Sequence, residues 1–467
     1  MRVIHSSDWH LGHTLRGEVT REDEHRAFLA WLLETCGREA ADVLVLTGDV
    51  FDSSTPPASA ERMWFDFLAA ARRSRAMDIV AIAGNHDSPA RLGAPAAVLR
   101  ELGVHVIGSL PRIAGSIDLD RVLIPVAGGR GLVAAVPFLR PVDVPTEALS
   151  NNAVAALFDS SEVASLRATI PYRLSPVTAT DRSREGVSTS RRSRHCSTGL
   201  EQDDPLAAIY GEVIAAARAR RRPDQALIVT GHLYLAGADS QFLSERRVSI
   251  GGQEAASARL FPDDIDYVAL GHIHRAQRVG RDTIRYAGAP IALALDEASY
   301  KHQALAIDFV RGRVAEIRSL PVPQAVEILR VPRRGAAPLD DVLRELDALP
   351  RSDAPDAAAA RPYLEVVVTL HKPEPRLRAL VEAALEAKHA RLVYLHVEHT
   401  GDRAALGDRF DARSGVRRLA ELDPREVFVR LWTRDHAQPP AREVRLAFDR
   451  LLEEVSGDRV DPEESLS

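Results

Sequence analysis

Five apolar, strand-like runs in this 467-residue chain each stop at a side chain that can bind a metal or move a proton. VIHSSDWH ends in Asp8 and His10, DVLVLTGD in Asp49, and DIVAIAGNH in Asn85 and His86. QALIVTGH ends in His232, and DYVALGHIH ends in His272 and His274. Helical patterns lie between some of these runs, as in Glu61–Ala71, where Trp64, Phe65 and Leu68 recur at helical spacing. The alternation predicts an α/β layered domain whose strands are covered on both faces. In such sheets the loops at the carboxyl ends of the strands form the ligand crevice, so the polar residues are expected to converge there.

Gly48, Gly84, Gly231 and Gly271 stand just before the polar residues, where a chain must turn sharply or approach another backbone closely. A buried cluster of carboxylates and imidazoles is costly without a cation, and a pair of divalent metals removes that cost. The donors are oxygen and nitrogen with no thiolate, which suits Mn²⁺, Fe²⁺ or Zn²⁺ better than Ca²⁺ or Mg²⁺. Mn²⁺ is the first choice. Two metals about 3.5–4 Å apart activate a water and stabilise both the attacking and the leaving oxygen in phosphoester cleavage. Asp49 is the best-placed bridging carboxylate, and Asn85 can offer a neutral carbonyl oxygen.

Taken singly, Asp8 with His10, or His232, reads as an ordinary polar strand end. GNHD and GHIH are more specific, and the joint occurrence of five such ends outweighs the bland reading. His5 falls inside the first strand and is expected to be a satisfied core residue. His13, His25, His105 and His302 lie off the strand ends and receive no chemical role. Asp52 and Asp87 follow candidate ligands and are expected to support or cap them.

Length predicts two or three domains. No apolar stretch approaches the roughly 20 residues needed to span a membrane, and the N-terminus enters a strand pattern at once, without a leader pattern. Two cysteines, Cys36 and Cys196, favour a reducing, cytoplasmic setting. A net charge of −6 does not advertise a nucleic-acid binder, although a basic groove or a basic partner is compatible with it. Residues 171–204 are polar and rich in Ser, Thr and Arg, and read as a surface insertion. Its arginines could touch a nucleic-acid backbone, but a solvated loop is the favoured reading. After residue 320, AVEILRVP, YLEVVVTL and RLVYLHVEH read as strands, with helical patterns at Leu339–Leu349 and Arg376–Lys388. They predict a small α+β domain. Residues 401–415 read as a linker, and Asp423 with Pro424 then starts a helix. Phe428, Leu431 and Trp432 form one apolar face, and Val444, Phe448, Leu451, Leu452 and Val455 form another. From the pattern, either face is core or a docking site for a partner. The acidic last dozen residues are expected to fray.

Together the D-x-H, GD, GNH, H and GHxH segments resemble the calcineurin-like metallophosphoesterases. HSSDWHLG, GNHDSPARL, VTGHL, ALGHIHRAQ, RYAGAPIALALDE and ELDPREVF resemble one branch in particular, the SbcD exonuclease subunits of bacterial SbcCD complexes. The resemblance covers most of the chain but not the 171–204 insertion. It implies a β-sandwich flanked by helices over residues 1–318, a capping domain at 319–400 that helps orient DNA, and a C-terminal helical segment at 416–457. It implies one metal on Asp8, His10, Asp49 and His274, and a second on Asp49, Asn85, His232 and His272. His86 would not bind metal but would act near the scissile phosphate. The C-terminal segment would dock on the ATPase subunit SbcC in a two-plus-two heterotetramer. Helices near Glu61–Arg75 and Arg91–Leu102 would join two nuclease domains. The implied activities are an ATP-dependent double-strand exonuclease and a single-strand or hairpin endonuclease, in DNA repair, recombination and replication.

Two other functions compete. A protein phosphatase or cyclic-nucleotide phosphodiesterase of the same fold would keep the metals, but protein phosphatases carry GDxxDRG where this chain has GDVFDSSTPP. The C-terminal domains would also have no purpose in a small-molecule enzyme. A decayed, non-enzymatic DNA-end scaffold is opposed by seven intact ligand positions.

Overall fold

Strand and helix alternate from the N-terminus: β1 (Arg2–Ser6), α1 (Glu22–Arg38), β2 (Val43–Thr47), α2 (Ala58–Ser74), β3 (Asp78–Ile82), α3 (Pro89–Gly93), α4 (Ala96–Glu101) and β4 (Val104–Ile107). A second series follows: β5 (Leu123–Val126), β6 (Gly131–Ala134), α5 (Pro205–Arg220), β7 (Ala226–His232), β8 (Tyr267–Gly271), β9 (Gln277–Val279) and β10 (Arg281–Tyr286). β11 (Gln303–Val310) and β12 (Arg313–Pro321) then form a hairpin. The computed structural model describes residues 1–15, 19–74, 77–140, 143, 205–239, 255–351 and 361–399, together with Phe428, Trp432 and Val444. The chain divides into two units, Met1–Thr400 and Gly401–Ser467.

Two six-stranded sheets make up most of the first unit, ordered β12-β11-β1-β2-β3-β4 and β9-β10-β8-β7-β6-β5. β1 to β4 are parallel, and the late hairpin adds to β1 antiparallel. In the second sheet β6, β7, β8 and β10 are parallel, with antiparallel strands at both edges. Alternate residues of each strand face opposite ways. Val3, Val43, Val45, Val80 and Ile82 therefore meet Val133, Ile228, Tyr267 and Ala269 between the sheets. Ile4, Leu44 and Leu46 face the other way, with Phe28 and Leu32 of α1 and Trp64 and Phe67 of α2. Leu227, Val229, Val268 and Leu270 likewise lie with Tyr210, Val213 and Ile214 of α5. The α/β sandwich flanked by helices follows from this two-sided burial. Each fully buried aliphatic side chain contributes about 1.5–3 kcal/mol.

Local signals set the helix starts. Ser88 caps α3 by accepting from the Arg91 N–H, and Pro89 occupies its first turn, where its missing N–H is harmless. Glu22, Asp23 and Glu24 place negative charge at the positive end of α1.

A four-stranded sheet follows. It comprises β13 (Ile328–Val331), the two-residue strand Ala337–Pro338, β14 (Tyr363–Leu370) and β15 (Arg391–His399), with α6 (Leu339–Asp347) and α7 (Leu377–Leu385). All its strands run parallel to central β14. Val342, Leu346, Leu364, Val366, Val368 and Val381 form its core. Both helices are shorter than the sequence pattern suggests. Past the end of α7, Lys388 is buried and reaches back to Asp347 Oδ1 at 3.0 Å.

The 171–204 insertion and the 401–415 linker lie outside the described residues, as does most of the expected 416–457 segment. Phe428, Trp432 and Val444 are helical, and the Phe428 and Trp432 rings lie 5.7 Å apart, as neighbours one helical turn apart do. Among the described residues no helix is long and apolar enough to cross a membrane.

Candidate metal centre

The carboxyl ends of β1, β2 and β3 in one sheet meet those of β7 and β8 in the other. Backbone hydrogen bonds Asp8 N–H to Gly48 O (3.1 Å), His10 N–H to Asp49 O (3.0 Å) and Leu11 N–H to Val50 O (2.9 Å) lay the first two loops side by side. Asp8, His10, Asp49 and His272 all hold left-handed backbone, with φ of 53°, 47°, 47° and 100°. Such residues cost roughly 1–3 kcal/mol each and persist where surrounding structure over-determines them. Gly48 itself sits at φ +93°, and a Cβ there would strike the His232 ring. A Cβ on Gly84 would strike the Asp49 carboxylate. Glycine before the ligand is thus a requirement of space as well as of turning. Gly231 differs, because its Cβ would meet Tyr210 and Leu233 rather than the cluster.

Ligand-capable atoms fall into three overlapping groups within 4.8 Å: Asp8, His10 and His274; His10, Asp49 and His86; and Asp8, Asp49 and His232. Asn85 and His272 join through hydrogen-bond geometry, since Asn85 Oδ1 lies 2.9 Å from both His232 Nε2 and His272 Nδ1. All seven expected ligand positions are therefore brought together. His86, expected to stay off the metal, also enters one group. Its backbone N–H donates to Asp49 Oδ1 (2.9 Å) and its Nδ1 donates to the Asp52 carbonyl (2.7 Å).

The donor set fits divalent cations. Asp49 Oδ2 faces His10 Nε2 at 3.5 Å and His232 Nε2 at 3.3 Å. His10 Nε2 is buried and has no hydrogen-bond partner among the described residues. A lone-pair nitrogen in that position is what a cation satisfies. His232 Nδ1 donates to the Thr47 carbonyl (2.8 Å), which turns Nε2 toward Asp49 and Asn85.

Charge in the cluster is strongly biased. Burial raises the Asp49 carboxyl, but the charge and hydrogen bond of His232, with His10 and His86 nearby, hold it well below the usual carboxylate range. Burial pushes His232 down, yet Asp49 overrides it and brings the imidazole up to about 9. Burial, then the neighbouring His232, takes His272 down to about 3. The field favours positive charge beside Asp49. Asp87 is pushed up to about 6, first by burial and then by Asp49, while its oxygens accept from Val50, Phe51 and Gly84 N–H groups. It ties the loops after β2 and β3 together, as expected of a capping group.

His5 is the satisfied core residue expected, with Nδ1 3.0 Å from Tyr267 OH and Nε2 3.0 Å from Thr47 Oγ1. Sequence reading left His13 without a role, but its Nδ1 lies 2.9 Å from Asp52 Oδ1, which also meets His10 Nδ1 at 3.2 Å. Its three-residue spacing from His10 was the available signal. Two other residues went unread. Arg140 donates to the Gly84 and Asp87 carbonyls (3.1 and 2.8 Å), and Glu297 meets His274 Nδ1 at 2.8 Å. Both follow apolar runs, LVAAVPFL and IALAL, but a lone Arg or Glu there names no partner.

With this geometry in view, a calcineurin-like phosphoesterase family model matches residues 1–276. The domain class is therefore a phosphoesterase of the kind that works with divalent metals. A second family model, described as "Type 5 capsule protein repressor C-terminal domain", matches residues 322–436. The SbcD subunit of the nuclease SbcCD from Rhodobacter capsulatus is 39% identical over 404 residues, 85% of this chain and 87% of that protein. The Escherichia coli K12 protein of the same name is 33% identical over 71% of each chain, and the Bacillus subtilis one 31% over 68% of each. The chain belongs to the SbcD nuclease-subunit family.

Proposed function

We propose that this chain is the Mn²⁺-dependent nuclease subunit of an SbcCD-type complex, hydrolysing DNA phosphodiester bonds in repair, recombination and replication in the cytoplasm. One metal would be held by Asp8, His10, Asp49 and His274, the other by Asp49, Asn85, His232 and His272. One observation carries the reading: a single oxygen, Asp49 Oδ2, faces both His10 and His232, which belong to the two different metals in this assignment. A bound metal pair would supply an activated water and charge stabilisation for the leaving oxygen.

The chain's own residues supply the rest. Asp49 lies between the two ligand sets and fixes their separation. The Asp52 carbonyl accepts the hydrogen bond of His86 Nδ1–H, so a second proton on Nε2 is the one His86 can deliver to the leaving oxygen. Asp52 also turns His10 through its Nδ1, and burial of the cluster excludes bulk water.

DNA and an SbcC-type ATPase are the proposed partners, with residues 319–400 as the capping domain and 416–457 as the docking segment. A two-plus-two assembly through paired nuclease domains is supported by Phe65 on α2 and Val98 and Leu102 at α4, which are large, apolar and exposed. The test is cleavage of single-stranded and hairpin DNA by the purified chain with Mn²⁺. Activity that survives both a chelator and His86→Ala sinks the proposal. Turnover of a small phosphodiester without DNA cleavage moves the substrate elsewhere.

A further inference from the structure

Glu297 lies between the segments matched by the two family models, after the apolar run IALAL, and the sequence assigns it no metal role. Its side chain is fully buried, and its two oxygens face two N–H groups: Oε1 meets His274 Nδ1 at 2.8 Å and Oε2 accepts from Leu293 N–H at 2.8 Å. The segment carrying it is anchored from several sides. His302 Nδ1 lies 2.9 Å from the Ala289 carbonyl and Nε2 3.2 Å from the Glu297 carbonyl. Buried Arg21 donates to the Ala292 carbonyl, and His13 Nε2 lies 2.8 Å from the Leu293 carbonyl. A carboxylate held this firmly is a fixed acceptor.

We propose that Glu297 is a positioning residue of the metal centre, holding His274 with its proton on Nδ1 so that Nε2 carries the lone pair. The inference rests on the reading of His274 as a metal ligand. In this arrangement Glu297 is a carboxylate with no proton to give, and the contact with Nδ1 is a donation from the ring. An imidazole without such an acceptor can carry its proton on either nitrogen, and half of those arrangements cannot bind a cation through Nε2. Glutamine cannot substitute. If its oxygen faces His274, its amide group meets the Leu293 N–H. If its oxygen faces Leu293, its amide donates to Nδ1 and moves the ring proton to Nε2.

Calorimetric titration of Mn²⁺ into the wild-type chain, Glu297→Gln and His274→Gln tests the role without reading catalysis. Glu297→Gln is expected to lose about 10–100-fold in affinity at one of two sites. Unchanged affinity at both sites overturns the proposal. Should Glu297→Gln fail to fold, long-range ¹H–¹⁵N spectra of the metal-free wild-type chain decide, with His274 assigned through its loss in His274→Gln. A proton on Nδ1 upholds the positioning role, and a proton on Nε2 overturns it. Unchanged Mn²⁺ binding in His274→Gln would remove the ligand assignment itself. Weakening in His274→Gln but not in Glu297→Gln would remove the positioning role alone.

Discussion

Asp8 Oδ1 accepts the backbone N–H of His272 at 3.0 Å, joining the end of the first strand in one sheet to the end of a strand in the other. The contact is buried and spans 264 residues of sequence. Asp8→Ala should therefore do two things. It should weaken Mn²⁺ binding, and it should destabilise the metal-free chain by about 1–3 kcal/mol through an unsatisfied buried N–H. Urea unfolding in chelator isolates the second effect, and an unchanged midpoint there would refute it.

In the proposed assignment His86 is separable from the candidate metal ligands. His86→Ala is expected to lower DNA cleavage by about 10²–10⁴-fold, the range for a general acid, while Mn²⁺ affinity stays near wild type. Affinity falling in step with cleavage would instead make His86 a ligand, as its proximity to His10 and Asp49 permits.

Glycines divide by what surrounds them. At Gly84 an added Cβ meets the Asp49 carboxylate, so Gly84→Ala should abolish cleavage and weaken metal binding. At Gly211, inside α5, an added Cβ meets nothing within 4 Å. Gly211→Ala should stabilise the chain by about 0.5–1 kcal/mol with cleavage unchanged. Thermal melts and a nuclease assay on both variants check the contrast.

Burial takes His5 down to about 3 in the folded chain, against an ordinary value of 6.5. The unfolded chain therefore binds the extra proton between those values. The stability due to a neutral His5 is complete above pH 6.5 and is lost as pH falls toward 3, at about 1.4 kcal/mol per pH unit. His5→Gln should show a shallower loss, smaller by about 2 kcal/mol between pH 6.5 and 5. Urea midpoints at the two pH values measure it, and equal slopes would refute it.

Arg21 is almost fully buried, pairs with Glu24, and lies 5.4 Å from the Tyr363 ring, whose hydroxyl donates to Glu24 Oε2 at 2.7 Å. Removing one partner of a buried pair leaves a charge uncompensated. Glu24→Ala should cost about 3–5 kcal/mol, and Tyr363→Phe about 1 kcal/mol. Denaturant unfolding of the two variants tests the order.

Sequence alone determined the strands and the candidate ligands that end them. An apolar run, a glycine and a donor are consecutive residues, and the physical demand they express is local. The same holds for the small sheet, where RLVYLHVEH is β15 residue for residue. Tertiary structure alone decided which donors share one cation-sized space, because that depends on the packing of β7 and β8 against β2 across the sandwich. It also decided the roles of His13, Arg140 and Glu297. These side chains act through partners tens to hundreds of residues away, and no local pattern encodes a hydrogen bond between His274 and a carboxylate 23 residues on, in the short 3-10 helix Leu295–Ser299 held by Arg21 and His302.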